Sequence, residues 1–144
     1  MSSNSRMTVA THALTWMALN CPKRPDGMVT SDQIASSVNT NPVVIRRTLG
    51  RLREAGLVAS QRGRGAGWRL ARDPGAITLR EVHLAVDPGP LIGLHPAPPR
   101  QQCPVGRSIS PVLERAYRQA EESMKSELAR VTVADVLKET IDLA

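Results

Sequence analysis

Residues 41–72 contain a capped basic helix followed at once by a glycine-rich hairpin, and few folds accommodate this order. Asn41 and Pro42 form an N-cap and a first helical position, and Gly56 suits the left-handed residue that ends a helix. Two short strands follow over 57–60 and 68–71, with three glycines between them. We expect a mainly α fold with one small β-hairpin.

The remaining elements follow from apolar spacing and capping signals. Helices are predicted over residues 6–20, from Thr30 to about residue 38, after Thr78, and in a last short segment that Thr132 opens with a partial capping box. Six prolines and two glycines in residues 87–104 indicate a linker. Ser110 and Pro111 are expected to open a long helix that ends near residue 130.

One side of this long helix carries an apolar seam typical of coiled coils. Its members are Leu113, Tyr117, Ala120, Met124 and Leu128. We therefore expect a homodimer joined along this seam. The predicted organisation is a helix-turn-helix domain with a hairpin over 1–86, a Pro-rich linker over 87–109, and the dimerisation helix with a short final helix over 110–144.

The positive charge of the chain is concentrated in one block. Nine arginines and two acids lie between residues 41 and 80, a net +7 that exceeds the +6 of the whole chain. Such a block favours a polyanionic partner. The chain has two tryptophans, one tyrosine and no phenylalanine, so few aromatic side chains could stack on the bases of a single strand. Double-stranded DNA is therefore the expected partner.

The basic block divides into a reading helix and a hairpin tip. On the helix, Ile45, Leu49 and Leu52 would face the core, and the opposite side would enter the major groove. Arg46 and Arg47 could each donate two hydrogen bonds to a guanine, or neutralise phosphates. The predicted DNA-binding residues are Asn41, Val43, Arg46, Arg47, Arg51, Arg62 and Arg64.

Three stretches resemble one bacterial family. They are RLREAGLV at 51–58, RGRGAGWRLARDP at 62–74 and ITLREV at 77–82. They are similar to the winged-helix regulators that include IscR, NsrR and CymR, the Rrf-two family, over about residues 6–140. The resemblance implies a symmetric dimer, probing a pseudo-palindromic operator with residues 41, 43, 46 and 47 in the major groove and Arg62 and Arg64 in the minor groove. Ala66 interrupts the family's three glycines, and Arg46 and Arg47 stand where the iron–sulfur members carry glutamate and glutamine.

The cysteines set expectations for a sensor. Cluster-binding members of the family use three cysteines after the wing, and this chain has only Cys103 there, so we expect no iron–sulfur cluster, metal or other cofactor. Residues 103–106 resemble a subgroup without clusters, in which some members respond to thiol oxidation. Cys103 is thus a candidate redox switch with Cys21 as its only partner, and a packed structural thiol is the alternative. A small-molecule effector also stays open.

Other classes of function are less favoured. The sequence contains no catalytic set, metal-binding motif or phosphate-binding loop that would indicate an enzyme. A sequence-independent architectural DNA binder and a protein-interaction module built on the long helix stay as alternatives. No apolar run is long enough for a membrane span, and Met1–Arg6 lacks the apolar stretch of a signal peptide, so we expect a cytoplasmic location.

Overall fold

The computed structural model describes residues 5–144. Residues 1–4, which are part of the predicted domain over 1–86 and of the Met1–Arg6 segment, lie outside the described residues. The helices are α1 (Arg6–Asn20), α2 (Ser31–Val38), α3 (Pro42–Glu54), α4 (Leu79–Val86), α5 (Pro104–Leu128) and α6 (Val133–Leu143). The strands are β1 (Val58–Gln61) and β2 (Gly67–Leu70), and short 3₁₀ turns cover Cys21–Lys23 and Pro74–Ala76. The mainly helical fold with one hairpin is confirmed.

Side-chain caps set where four of the helices begin. Thr30, Thr78 and Thr132 each accept a hydrogen bond from the backbone N–H three residues on, and the side chain at that position accepts the return bond. At Thr132 the return bond goes to Asp135 Oδ2 at 2.9 Å, so an aspartate completes the box expected to be partial. Asn41 caps α3 by accepting the Val43 N–H at 2.8 Å. The predicted starts of these helices are confirmed.

The hairpin is antiparallel, with Val58 opposite Leu70 and Gln61 opposite Gly67. A further bridge joins β2 to the segment before α2: Val29 donates to the Trp68 carbonyl at 2.9 Å, and Trp68 donates to the Val29 carbonyl at 2.7 Å. The hairpin is therefore attached to the helical part through β2 as well as through the chain end of α3.

The long helix begins earlier than its sequence predicts. Pro104, not Pro111, occupies the first helical position, and the Arg107 N–H makes a bond of 2.9 Å to the Cys103 carbonyl. Pro111 then lies inside α5, where its missing N–H leaves a carbonyl one turn earlier without its usual partner. Pro111 is exposed, so water can satisfy that carbonyl. Residues 104–109 belong to the helix and not to the linker.

The chain forms two compact units. One contains the described part of Met1–Pro88 together with Ala129–Ala144, and the other contains Gly89–Leu128. The final helix, which the sequence grouped with α5, packs instead against α1. Backbone bonds of 2.9 Å from Leu79 N to Val131 O and from Val133 N to Ile77 O attach it to the first unit.

A single apolar core fills the first unit. Its largest fully buried side chains come from α1, α2, α3, α4 and the segments just before β1 and α4, and include Leu14, Met17, Ile34, Ile45, Leu49, Leu52, Leu57, Ile77, Val82 and Val86. Val133 from α6 is also fully buried. This core fixes the orientation of α3, the helix that carries the predicted reading residues. Among the described residues no helix is long and apolar enough to cross a membrane.

Candidate nucleic-acid interface

A tight turn joins α2 to α3. Asn39 has a φ of 62° in the left-handed region and donates its N–H to the Ala35 carbonyl at 2.8 Å. Asparagine tolerates this conformation better than most residues. Two residues later Asn41 caps α3. The two helices and the turn therefore form a helix-turn-helix with a defined start for its second helix.

One side of α3 is fixed in the core and the other is open. Ile45, Leu49 and Leu52 are 0% exposed, as their spacing predicts. The four residues predicted to probe the major groove are exposed: Asn41, Val43, Arg46 and Arg47. Val43 is 48% exposed, and an exposed valine on this surface suits contact with the methyl group of a thymine.

Arg46 is directed toward the start of α2. Its Nη1 donates to the Ser31 hydroxyl at 3.3 Å and lies 3.9 Å from Asp32 Oδ1. The Arg46 side chain is 52% exposed and that of Asp32 is 78% exposed, so water screens this ion pair. Arg46 is lightly restrained and has donors left for a base or a phosphate.

Arg51 lies on another side of α3 from Arg46. Its Nη1 donates to the carbonyl of Val86, the last residue of α4, at 3.1 Å. This bond satisfies one of the carbonyls that a helix end leaves without a partner. Arg51, which the sequence assigned to DNA, thus also stabilises the end of α4. Arg47 and Arg6 line the same cleft as Arg51.

The hairpin tip presents two arginines without partners. Arg62 and Arg64 are exposed, and neither forms a hydrogen bond or ion pair within residues 5–144. Gly63 and Gly65 have φ values of 77° and 74°, so the tip needs residues that tolerate the left-handed region. The tip combines a glycine backbone that can approach another surface with two unneutralised charges, which is the arrangement of a DNA-binding wing.

The groove between α3 and the wing is also basic. Arg46, Arg53 and Arg62 line a groove of about 510 Å³. Arg53 is positioned by Trp68, whose ring centroid lies 5.3 Å from the guanidinium carbon, and by a bond of 2.8 Å to the Ser60 hydroxyl. Residue types alone gave no signal for this stacking, because the two side chains meet only when the hairpin folds.

The two cysteines have different surroundings. Both are free, Cys21 is buried and Cys103 is exposed. Burial raises the pKa of the Cys21 thiol, although a hydrogen bond with the backbone of Leu70 and the charge of Arg24 act in the opposite direction. A buried thiol that stays protonated reacts slowly with oxidants. Cys103 stands directly before α5 and provides the carbonyl that accepts the first bond of that helix.

No side chain of α5 is buried within the protomer. The predicted seam residues Leu113, Tyr117, Met124 and Leu128 are half-buried, and Ala120 is exposed. Val105 and Val112 add further exposed apolar surface at 64% and 56%. A helix of 25 residues with an apolar seam and no buried side chain has surface available for a second copy.

The fold and the basic surface define the class of protein, a winged helix-turn-helix DNA-binding regulator. A model of the Rrf2 family, described as iron-dependent transcriptional regulators, matches residues 3–139. The chain belongs to this family. YwnA of Bacillus subtilis (strain 168), provisionally assigned as an HTH-type transcriptional regulator, is 37% identical over 135 residues, which cover 93% of this chain and 96% of YwnA.

Solved structures agree with this assignment. A crystal structure described as that of a provisionally assigned DNA-binding protein shares 34% identity, covers 92% of this chain and 99% of its own, and has a TM-score of 0.72. IscR of T. potens shares the fold at 23% identity, with a TM-score of 0.69 and coverage of 97% and 87%. CymR of B. subtilis shares the fold at 24% identity, with a TM-score of 0.60 and coverage of 92% and 95%.

The residues present do not fit the iron that the family description mentions. Within residues 5–144, no group of three or more histidine, cysteine or acidic side chains could hold a metal ion. Cys21 is buried in the first compact unit, and Cys103 belongs to the second.

Proposed function

We propose that the chain is a homodimeric transcription repressor that reads a pseudo-palindromic operator. In this proposal α3 enters the major groove and presents Asn41, Val43, Arg46 and Arg47 to base edges and phosphates. Arg62 and Arg64 on the wing lie in or beside the adjacent minor groove. One observation carries the proposal: α3 has a fully buried apolar side, and its exposed side stands next to a wing with two unpaired arginines.

Base reading needs a rigid helix, and the surroundings of α3 supply one. Its three core residues are fully buried, its start is capped by Asn41, and its end leads into Gly56 at a φ of 77°. A helix fixed at both ends loses little conformational freedom when it binds DNA. Each bidentate contact from an arginine to a guanine is worth about 1–3 kcal/mol of discrimination.

Dimerisation along α5 would place two reading helices on one operator. The seam from Leu113 to Leu128 supports this, because its side chains are not buried within the protomer. Two-fold protein symmetry is matched by a palindromic site, with half-sites one turn or more of DNA apart. Repression follows if the bound dimer covers a promoter.

We also propose that oxidation of Cys103 weakens operator binding. Cys103 is exposed and stands at the start of the proposed dimer helix. Hydrogen peroxide would transfer one oxygen atom to the thiolate sulfur, giving a sulfenic acid and hydroxide, and a thiol reductant would reverse the step. The added polar group at the start of α5 would alter the dimer and so the spacing of the reading helices.

Selection of genomic DNA fragments by the purified full-length protein, with and without peroxide, tests these proposals together. We expect fragments that share an inverted repeat, and fewer of them after oxidation. Cys103→Ser should select the same repeat and lose the peroxide response, whereas Cys21→Ser should keep it. Fragments without a common sequence would support an architectural binder and overturn the regulator. Equal binding by oxidised wild type and Cys103→Ser would overturn the redox step alone.

A further inference from the structure

A small cleft with three arginines lies beside α3, on the side away from the wing. Arg6 from the start of α1, and Arg47 and Arg51 from α3, line a cavity of about 140 Å³. The other lining residues are Val44, Thr48 and Val86. None of these six is acidic, so among the described lining residues three positive charges share one cavity without a counter-charge.

The arginines of this cleft are supplied with free donors. Arg51 donates one of the five N–H groups of its guanidinium to the Val86 carbonyl at 3.1 Å. The side chains of Arg6 and Arg47 form no hydrogen bond or ion pair within the part of the chain that the structure describes. Arg6 also lies in the first turn of α1, where the helix dipole favours a negative group. An anion bound in the cleft would neutralise part of the clustered positive charge and accept hydrogen bonds from the guanidinium groups.

The size and chemistry of the cleft favour a phosphate group. Pockets for drug-sized ligands run from about 300 to 1,000 Å³, so this cavity suits a group of a few atoms. Guanidinium groups match phosphate oxygens with paired hydrogen bonds. Val44 and Val86 contribute apolar wall, which limits competition from water.

The position of the cleft indicates where the phosphate comes from. Arg46 and Arg47 are consecutive and therefore about 100° apart around the helix axis. Arg46 lines the groove on the wing side, and Arg47 lines the cleft beside α1 and α4. α3 thus has a basic surface on both sides. A helix in the major groove, which is about 12 Å wide, has a phosphate backbone on each side.

We propose that the Arg6–Arg47–Arg51 cleft binds a phosphate group, and that in the operator complex this group belongs to the DNA backbone that borders the major groove opposite the wing. The source in DNA rests on the proposed function; the affinity for phosphate rests on the cleft alone. Arg47 then positions the regulator on DNA, and Arg46 is left as the arginine that reads a base.

Arg6→Gln is the most informative variant, because within the described residues the Arg6 side chain forms no hydrogen bond or ion pair whose loss would destabilise the fold. Arg80→Gln is its control: it removes the same charge from an exposed position at the opposite end of α4 from Val86. Binding of operator and of random duplex is measured as a function of salt. For Arg6→Gln we expect weaker binding to both duplexes and a salt slope lower by about one unit, with no change for Arg80→Gln.

Neutral methylphosphonate at single backbone positions locates the contact. At one backbone position, methylphosphonate should weaken DNA binding by the wild type. It should not weaken binding by Arg6→Gln any further, because both changes remove the same interaction. In a second arm, inorganic phosphate is added at constant ionic strength while thermal unfolding is followed. Phosphate should raise the Tm of the wild type and of Arg80→Gln more than that of Arg6→Gln.

The two arms separate the sources of the phosphate. A reduced salt slope with a shared methylphosphonate position supports the backbone contact. If Arg6→Gln leaves the salt slope unchanged but loses the Tm response to phosphate, the DNA source is overturned. The cleft then binds free phosphate. If Arg6→Gln matches Arg80→Gln in both arms, the cleft is not a phosphate site. Should the wild type bind no DNA, the proposed function fails, and the Tm arm still tests the cleft.

Discussion

Asp32, in the first turn of α2, lies 3.9 Å from the guanidinium of Arg46, the residue proposed to read a base. The acid therefore neutralises part of the reading surface while no DNA is bound. Asp32 therefore competes with the DNA for Arg46, although Arg46 keeps donors that the acid does not use.

We predict that Asp32→Asn strengthens operator binding by a factor of roughly 1.4 to 5, since an exposed ion pair is worth about 0.2–1 kcal/mol. The measurement is an equilibrium titration at fixed salt. Asp142→Asn is the control, because it breaks an exposed ion pair of 2.9 Å with Lys138 on α6. Equal gains in both variants would show a general charge effect and not competition for Arg46.

Gly67 fixes how closely β2 approaches the segment before α2. Its φ is 154°, and a Cβ there would lie 2.7 Å from the Val29 carbonyl oxygen and 3.2 Å from Met28 Cβ. We predict that Gly67→Ala lowers the free energy of unfolding by about 1–3 kcal/mol. Denaturant unfolding measures it.

Gly50→Ala is the matched control for Gly67→Ala. Gly50 lies inside α3 with nothing within 4 Å of an added Cβ. Alanine there should raise stability by about 0.5–1 kcal/mol, because glycine is a poor helix former. A similar loss in both variants would contradict the close approach at Gly67.

Glu81 links the capping box of α4 to Arg72. Burial acts to raise the pKa of the Glu81 carboxyl, but hydrogen bonds from Arg72 and from the Thr78 backbone outweigh it and lower the pKa below its usual 4.5. A carboxyl with a lowered pKa in the folded state stabilises the fold above its unfolded pKa. That stabilisation is lost as the pH falls through the folded pKa.

We therefore predict that Glu81→Gln is less stable than the wild type at pH 7 and that the difference narrows below about pH 4.5. Glutamine keeps the cap, since it also suits the third helical position, so the variant isolates the charge. Thermal unfolding across pH 3–7 checks the trend. A difference that stays constant with pH would argue against the ion pair with Arg72.

The seam of α5 gives a prediction on assembly. Met124→Asp places a charge on the seam, and burying an unpaired charge is costly, so we expect it to convert the dimer to a monomer. Ser123→Asp adds the same charge one position away, on an exposed residue, and should stay dimeric. Sedimentation equilibrium distinguishes the states. A monomeric wild type, or a dimeric Met124→Asp, would contradict dimerisation through this seam.

Local signals in the sequence predicted most of the fold. Asn41, Thr30 and Thr78 mark helix starts because a capping bond spans only two or three residues. The predicted start of α5 was wrong because Pro104 and Pro111 both suit a first helical turn. The sequence pattern does not show that the helix tolerates an exposed Pro111 in its interior.

Such local signals do not predict long-range contacts. The packing of α6 against α1, the stacking of Arg53 on Trp68 and the approach of Arg6 to Arg47 and Arg51 join residues far apart in the chain. Arg6 carries no motif, so only the folded chain identifies it. The exposed side of α3 was predictable because helical spacing alone separates it from the buried side.

Competition between operator and random duplex at one salt concentration tests the regulator most directly, with Arg46→Ala and Arg64→Ala beside the wild type. We predict that the wild type prefers the operator by at least about 10³-fold. Arg46→Ala should lose about 1–3 kcal/mol of discrimination at one base pair, and Arg64→Ala should weaken binding to both duplexes alike. A wild-type preference near one, or equal losses in both variants on every sequence, would contradict a reading helix.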